Sequence, residues 1–147
     1  MKRTRILFVS DIHGSETTFR KFLNASKIYK VDVAIVGGDI TGKGLVFVSK
    51  KSNGYETEFL GRKWVAQSDE ELRSVIQEIR RRGFYAHVDD PDAIDEIVCS
   101  PPKAENLLKD HITRSVKEWI QLAEERLKDS GIECHISPGN DDIYDID

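Results

Sequence analysis

The chain has 147 residues, of which 39% are hydrophobic and 33% are charged, a composition typical of one soluble globular domain rather than of a disordered protein. The formal net charge of −4 argues against non-specific nucleic-acid binding, which requires a basic surface. We therefore expect a nucleic acid to bind this chain only if it is the substrate of a reaction. No apolar run approaches the roughly 20 residues of a membrane span. Cys99 and Cys134 form no C-x-x-C motif, so we expect no disulfide framework and a cytoplasmic location.

The chain begins with a pattern of strand, helix and strand. Residues 6–9 form a short apolar run, which predicts a buried parallel strand. Ser15 is a suitable N-cap for a helix over residues 17–30, whose apolar side chains fall roughly on one face. Residues 31–36 predict a second buried strand. This order is the βαβ unit of a parallel sheet.

Residues 45–67 depart from this alternation of strands and helices, and their pattern predicts an antiparallel appendage. The segments 46–48 and 55–60 have strand character and flank Asn53, which is followed by glycine. An Asn-Gly pair between two such segments predicts a β-hairpin turn. Residues 62–67 are a candidate for a third short strand.

The remaining chain returns to alternating helices and strands. Ser68 with Glu71 three residues later is a capping box, which predicts the start of a helix. A third core strand is predicted over residues 84–88, and a long helix over 103–129 after two consecutive prolines and a short helix. A last strand is predicted over residues 132–137.

These elements predict an α/β fold, with a mostly parallel sheet flanked by helices and a β-hairpin insertion over residues 45–67. We assign the whole of residues 1–147 to one domain, because no linker or internal repeat divides it. Asp145 and Asp147 are expected to belong to a solvated tail.

Three of the predicted core strands are followed by polar side chains that can bind a metal ion. In chain order these are Asp11, His13, Asp39, Asn140, Asp141 and Asp142. Because the carboxyl ends of parallel strands share one edge of a sheet, we expect these side chains to lie together. Oxygen ligands combined with one imidazole suit Mn, Fe, Zn or Mg better than copper.

The motifs D-x-H, G-G-D and P-G-N-D-D follow three strands in this order, and as a set they resemble the calcineurin-like metallophosphoesterase superfamily, particularly its small prokaryotic phosphoesterases. The resemblance implies a two-sheet sandwich, of which this chain would hold the amino-terminal half. It also implies a metal-dependent phosphoester hydrolase, in which two divalent ions (Mn, Fe, Zn or Mg) promote hydroxide attack on a phosphomonoester or phosphodiester substrate.

The resemblance also implies a role for each matching residue. Asp11 and His13 would hold the first metal ion, and Asp39 would bridge both ions. Asn140 would bind the second ion through its amide oxygen. Asp142 matches an acidic position that would orient His13 through a hydrogen bond.

The sequence departs from the family pattern in two respects. Asp141 stands where the family often has a histidine that is proposed to protonate the leaving group, and a carboxylate takes that role only where its surroundings raise its pKa. The family's further histidine ligands, including a G-H-x-H motif, have no counterpart. His87, His111 and His135 fall in a predicted strand, a predicted helix and the last predicted strand.

We therefore expect an incomplete site, with partial or no metal occupancy and impaired or absent catalysis. Because the second sheet of the family fold would be missing, we also expect an exposed apolar face that favours homo-oligomers.

Two alternative functions follow from the same residues. A non-catalytic scaffold of the same fold, which binds a protein partner, would also tolerate missing ligands. The stretch from Gly37 to Lys43 nearly matches the phosphate-binding loop G-x-x-x-x-G-K-[ST], but Gly44 replaces the Ser or Thr. A strand rather than a helix is predicted to follow, which argues against a nucleotide triphosphatase.

Overall fold

In a computed structural model, residues 3–142 are described, and they form seven strands and four helices. The elements are β1 (Ile6–Val9), α1 (Glu16–Ile28), β2 (Val33–Gly37), β3 (Leu45–Lys51), β4 (Gly54–Phe59), β5 (Arg62–Ala66), α2 (Asp69–Arg81), β6 (Tyr85–Asp89), α3 (Pro91–Val98), α4 (Pro101–Leu127) and β7 (Glu133–Ser137). The predicted tail at Asp145 and Asp147 lies outside the described residues. The predicted α/β class is confirmed.

The first sheet consists of three parallel strands in the order β1–β2–β7. In register, Phe8 of β1 lies beside Ile35 of β2, which lies beside His135 of β7. These are the strands that polar, metal-capable side chains follow in the sequence. Their carboxyl ends meet at one edge, as predicted.

The second sheet is mixed and has the order β5–β4–β3–β6. Its antiparallel part, β3–β4–β5, is the predicted hairpin with its third short strand. The loop between β3 and β4 is Ser52-Asn53, and Gly54 is the first residue of β4 rather than a turn residue. Gly54 has a φ of 123°, and a Cβ atom there would collide with the carbonyl oxygen of Ala66 on β5. Glycine at this position therefore permits the close approach of two strands.

The predicted third core strand is β6, and it lies in the second sheet rather than beside β1, β2 and β7. β6 pairs in parallel with β3 and completes the second sheet. The reason lies in the side chains of β6: Tyr85 packs in the core of the first sheet, whereas Ala86 and Val88 pack in that of the second. A strand covered on both faces has no alternation that would identify its partner sheet.

Each sheet has its own hydrophobic core. α1 and α4 cover the first sheet, where the rings of Phe19 and Trp119 stack with centroids 4.6 Å apart. α2 covers the second sheet with Val75 and Ile79. The Ser68 hydroxyl accepts a hydrogen bond from the N–H of Glu71, which confirms the predicted start of α2.

The long helix α4 begins two residues earlier than predicted. Pro101 occupies its first turn, a position where the missing N–H of proline costs no helical hydrogen bond. None of the helices within residues 3–142 combines the length and hydropathy that a membrane span requires.

The outer face of β1 is apolar and accessible. Ile6 and Phe8 are each 60% exposed, whereas Leu7 and Val9 pack against the core on the opposite face. Parallel sheets are normally covered on both faces. The predicted exposed apolar face is therefore confirmed, and oligomerisation through it stays a prediction.

Candidate metal centre

The loops that follow β1 and β2 continue the pairing of the two strands beyond the sheet. The N–H of Asp11 donates to the carbonyl oxygen of Gly38 at 3.1 Å, and the N–H of His13 donates to that of Asp39 at 2.8 Å. A third bond, from Gly14 to Ile40, measures 2.9 Å. These backbone bonds fix the two loops side by side and bring the side chains of Asp11, His13 and Asp39 to the same edge.

The backbone of all three residues is left-handed. Of the six non-glycine residues with positive φ within residues 3–142, three are Asp11 (58°), His13 (46°) and Asp39 (49°). Asp and His tolerate this region better than most side chains, yet the conformation is uncommon and costs free energy. Unfavourable backbone conformations are thus concentrated where the sequence places its candidate ligands.

One ligand atom from each of Asp11, His13 and Asp39 lies within 4.8 Å of the other two. Nε2 of His13 is 3.9 Å from Oδ1 of Asp11. The Ser10 hydroxyl donates a hydrogen bond to Oδ2 of Asp11, so the two oxygens of that carboxylate have different neighbours. Two carboxylates and one imidazole at this spacing fit a divalent ion that accepts both oxygen and nitrogen ligands.

The loop after β7 reaches this cluster through Asp39. Oδ1 of Asp39 accepts a hydrogen bond of 3.2 Å from the N–H of Asp141. A Cβ atom on Gly139 would collide with the same oxygen, so the loop can approach this closely only with glycine there. Nδ2 of Asn140 donates to Oδ1 of Asp141 at 2.8 Å. The backbone of the loop that carries Asn140 and Asp141 therefore lies beside Asp39.

Asp142 holds the loops after β2 and β7 together. Its side chain is 5% exposed, and its carboxylate accepts hydrogen bonds from the N–H groups of Gly139 (2.7 Å), Thr41 (2.7 Å) and Ile40 (3.1 Å). Burial alone would raise the pKa of Asp142, but these backbone donors outweigh burial and hold the pKa below its ordinary value.

The carboxylate of Asp142 thus bonds to the backbone rather than to His13. The resemblance implied a direct hydrogen bond to His13, and among the described residues no such bond joins the two. Sequence reasoning missed this arrangement because backbone N–H groups leave no signature in the sequence. Asp142 acts on the cluster indirectly, by fixing the loop that carries Asp39.

The other three histidines do not belong to this cluster in the described part of the chain. His87 is on β6 and His111 on α4. His135 is exposed on β7, where its Nε2 is 3.2 Å from Oε1 of Glu133. Within residues 3–142, His13 is the one histidine of the candidate cluster.

The fold and this edge define an α/β protein with a candidate metal centre at the carboxyl ends of parallel strands. Residues 4–67 match the family model of the calcineurin-like phosphoesterases. The matched part includes Asp11, His13 and Asp39, whereas Asn140 lies outside it. The amino-terminal portion of the chain is therefore similar to this family. No curated protein and no solved structure gave a significant match.

Proposed function

We propose that the cluster of Asp11, His13 and Asp39 is the metal-binding part of a phosphoester hydrolase. The observation that carries the proposal is the convergence of these three side chains, from two loops, to within 4.8 Å of one another. It is supported by their position inside the part of the chain that matches the family model. The substrate class is a phosphomonoester or a phosphodiester.

The proposed ligand roles follow the hydrogen bonds of each side chain. Asp11 and His13 would hold one ion, and Asp39 would be shared with a second. Asn140 donates through its amide nitrogen to Asp141, which leaves its amide oxygen available for the second ion. When bound, such ions (Mn, Fe, Zn or Mg) supply Lewis acidity, which polarises a phosphate group and strengthens water as a nucleophile.

Asp141 and Asp142 are proposed as the residues that position this edge for catalysis. The N–H of Asp141 bonds to Asp39, and its carboxylate fixes the Asn140 amide. Asp142 anchors the loop after β2 through the N–H groups of Ile40 and Thr41. We expect slow turnover by this chain, because His13 is the one imidazole that the described residues place at the cluster.

The test is to load the protein with Mn²⁺, remove free metal, and measure bound metal per chain together with hydrolysis of p-nitrophenyl phosphate and bis-p-nitrophenyl phosphate. We expect bound Mn²⁺ and slow turnover, both reduced in Asp39→Asn. Substitution of a residue that only hydrogen-bonds to a metal ligand typically lowers metal affinity by about 10- to 100-fold. Loss of a ligand itself should therefore weaken Mn²⁺ binding by at least about tenfold.

The matched control is Asp129→Asn, because Asp129 is also an aspartate with positive φ (59°) but is exposed and does not belong to the Asp11–His13–Asp39 cluster. Equal losses in Asp39→Asn and Asp129→Asn would contradict the proposed site. Turnover without any dependence on Asp39 would assign catalysis to other residues.

A non-catalytic scaffold is the second candidate function. The 60% exposure of Ile6 and Phe8 favours it, because this face of the first sheet offers an apolar surface to a partner or to a second copy of the chain. Metal binding without any turnover in the experiment above would support the scaffold.

The free thiols of Cys99 and Cys134 support a reducing compartment, and the proposed location is the cytoplasm.

A further inference from the structure

Two histidines meet between α4 and the second sheet, at a place outside the candidate metal centre. Nδ1 of His87, on β6, is 3.3 Å from Nε2 of His111, on α4. The two rings are nearly perpendicular, with an interplanar angle of 88° and centroids 5.5 Å apart. The residues are 24 positions apart in the sequence, so this pair exists only through the packing of α4 on β6.

A carboxylate lies behind the first of these rings. Oδ2 of Asp89 is 3.5 Å from Nε2 of His87. At that distance the contact does not form a hydrogen bond, and Nε2 of His87 is buried without a hydrogen-bond partner. A carboxylate beside one nitrogen of an imidazole commonly orients the other nitrogen of that ring toward a metal ion.

We propose that Nδ1 of His87 and Nε2 of His111 form a second, mononuclear metal site for a transition-metal ion such as Zn²⁺ or Ni²⁺. Zinc–imidazole bonds measure about 2.0–2.1 Å, so two nitrogens 3.3 Å apart subtend an angle of about 107° at a shared ion. That angle is close to the tetrahedral angle of about 109° that zinc adopts in proteins.

The second ring of the pair has access to a cavity. His111 lines this cavity of about 360 Å³ together with Tyr85, Arg80 and Arg114. We expect water from the cavity to complete the coordination of the ion. When an ion is bound at Nδ1, we expect Asp89, now 3.5 Å from Nε2 of His87, to approach and accept the Nε2–H.

The surroundings of His111 favour a neutral ring. Burial, followed by the charges of His87, Arg114 and Arg80, lowers the pKa of His111 below its ordinary value, against a smaller opposing effect of Asp110. A neutral imidazole has a free lone pair, so protons compete less with the metal at neutral pH. The same arginines repel cations, so binding depends on imidazole donors, which select Zn²⁺, Ni²⁺ or Cu²⁺ over Mg²⁺ or Ca²⁺.

The direct test is a Zn²⁺ titration of the full chain, followed by ¹H–¹⁵N correlation spectra of the histidine rings. The chain has four histidines, so the ring signals are few enough to assign one by one. We expect Nδ1 of His87 and Nε2 of His111 to shift together with a single dissociation constant, in the wild type and in Asp39→Asn alike. Mg²⁺ at the same concentrations should leave both signals unchanged.

Substitutions give a second measurement. His111→Gln should weaken Zn²⁺ binding by at least about tenfold in the Asp39→Asn background, whereas His135→Gln should leave it unchanged. His135 is the matched control, because it also lies near a carboxylate but is exposed on β7. If His111→Gln fails to fold, the ring spectra of the unsubstituted chain still decide the question.

The proposal is overturned if the signals of His87 and His111 stay unchanged while Zn²⁺ shifts those of His13, because the two rings would then share only a proton. It does not depend on the hydrolase proposal. If the Asp11–His13–Asp39 site fails to bind metal, the result for His87 and His111 still stands. If His87 and His111 fail to bind Zn²⁺, the test of the Asp11–His13–Asp39 site is likewise unaffected.

Discussion

The two sheets each contain parallel strands, and their carboxyl ends differ in how acidic side chains are neutralised. At the end of the β3–β6 pair, Nζ of Lys50 lies 3.8 Å from Asp89 and 3.7 Å from Asp90. At the end of the first sheet, the ion-pair partner of Asp11 within the described residues is the imidazole of His13. Asp89 and Asp90 have ordinary right-handed or extended backbones, whereas Asp11 and Asp39 are left-handed.

This difference separates two uses of aspartate at a strand end. An acidic group beside a lysine forms an exposed ion pair that contributes little to stability. Acidic groups that converge without a lysine or arginine ion pair among the described residues, on a backbone that costs free energy to adopt, favour a functional interpretation. We therefore infer a functional role for the acidic groups at the edge of the first sheet and a structural role for those at Lys50.

The largest expected effect is the loss of Mn²⁺ affinity on substitution of Asp11. In Asp11→Asn we expect Mn²⁺ affinity to fall by about 10- to 100-fold, because one of three converging ligands loses its charge. Asp90→Asn, at the end of the second sheet, should change the affinity by less than about twofold, because exposed ion pairs there are weak and screened. Isothermal titration calorimetry of both variants measures the difference. A comparable loss in Asp90→Asn would remove the distinction between the two edges.

A second effect concerns Asp142, which connects the loops after β2 and β7. Asp142→Asn should lower the free energy of unfolding by about 1.5–3 kcal/mol, because a charged acceptor of three backbone N–H groups is lost. Asp32→Asn is the control, since Asp32 accepts from the N–H of Arg5 at an exposed position. Urea unfolding near pH 7 measures both.

The free energy of unfolding of the same variant should also depend on pH differently from that of the wild type. The pKa of Asp142 is lower in the folded chain than its unfolded value of about 3.8. Its contribution to stability is therefore fully present above that unfolded value and is lost as the pH falls through the folded pKa. The stability difference between wild type and Asp142→Asn should shrink on acidification. A difference that stays constant down to pH 2 would show that the charge of Asp142 does not hold the loops.

The smallest effect is expected on the outer face of β1. Phe8→Ser should shift self-association toward the monomer by a few-fold in sedimentation experiments, because the apolar face loses its largest exposed ring. Ile28→Ser is the control, since Ile28 is 74% exposed at the end of α1, away from that face. Equal behaviour of the two variants would contradict an interface at β1.

The site was more predictable than the arrangement of the sheets. Asp11, Asp39 and Asn140 could be grouped because each follows an apolar run, and parallel strands bring such positions to one edge. Sheet membership of β6 could not be predicted, because a short apolar run specifies neither its neighbour nor the direction of pairing. The existence of strands therefore follows from local pattern, whereas their partners depend on which faces are covered.

The contact between His87 and His111 had no local signal at all. Their spacing of 24 residues corresponds to no motif, and the sequence placed them only on a strand and a helix. Likewise, the partners of Asp142 are backbone groups that any sequence provides. Contacts of this kind follow from the packing of α4 on β6 and of one loop on another, which are determined by the whole fold.

Anomalous X-ray diffraction from crystals soaked in Mn²⁺ tests most directly whether Asp11, His13 and Asp39 bind a metal ion. We expect an anomalous peak between the carboxylates of Asp11 and Asp39 and the imidazole of His13, with a weaker or absent peak in Asp39→Asn crystals. A peak at Asp89 and Asp90 instead, or none at Asp11 in fully soaked crystals, would contradict the assignment of the metal centre to the first sheet.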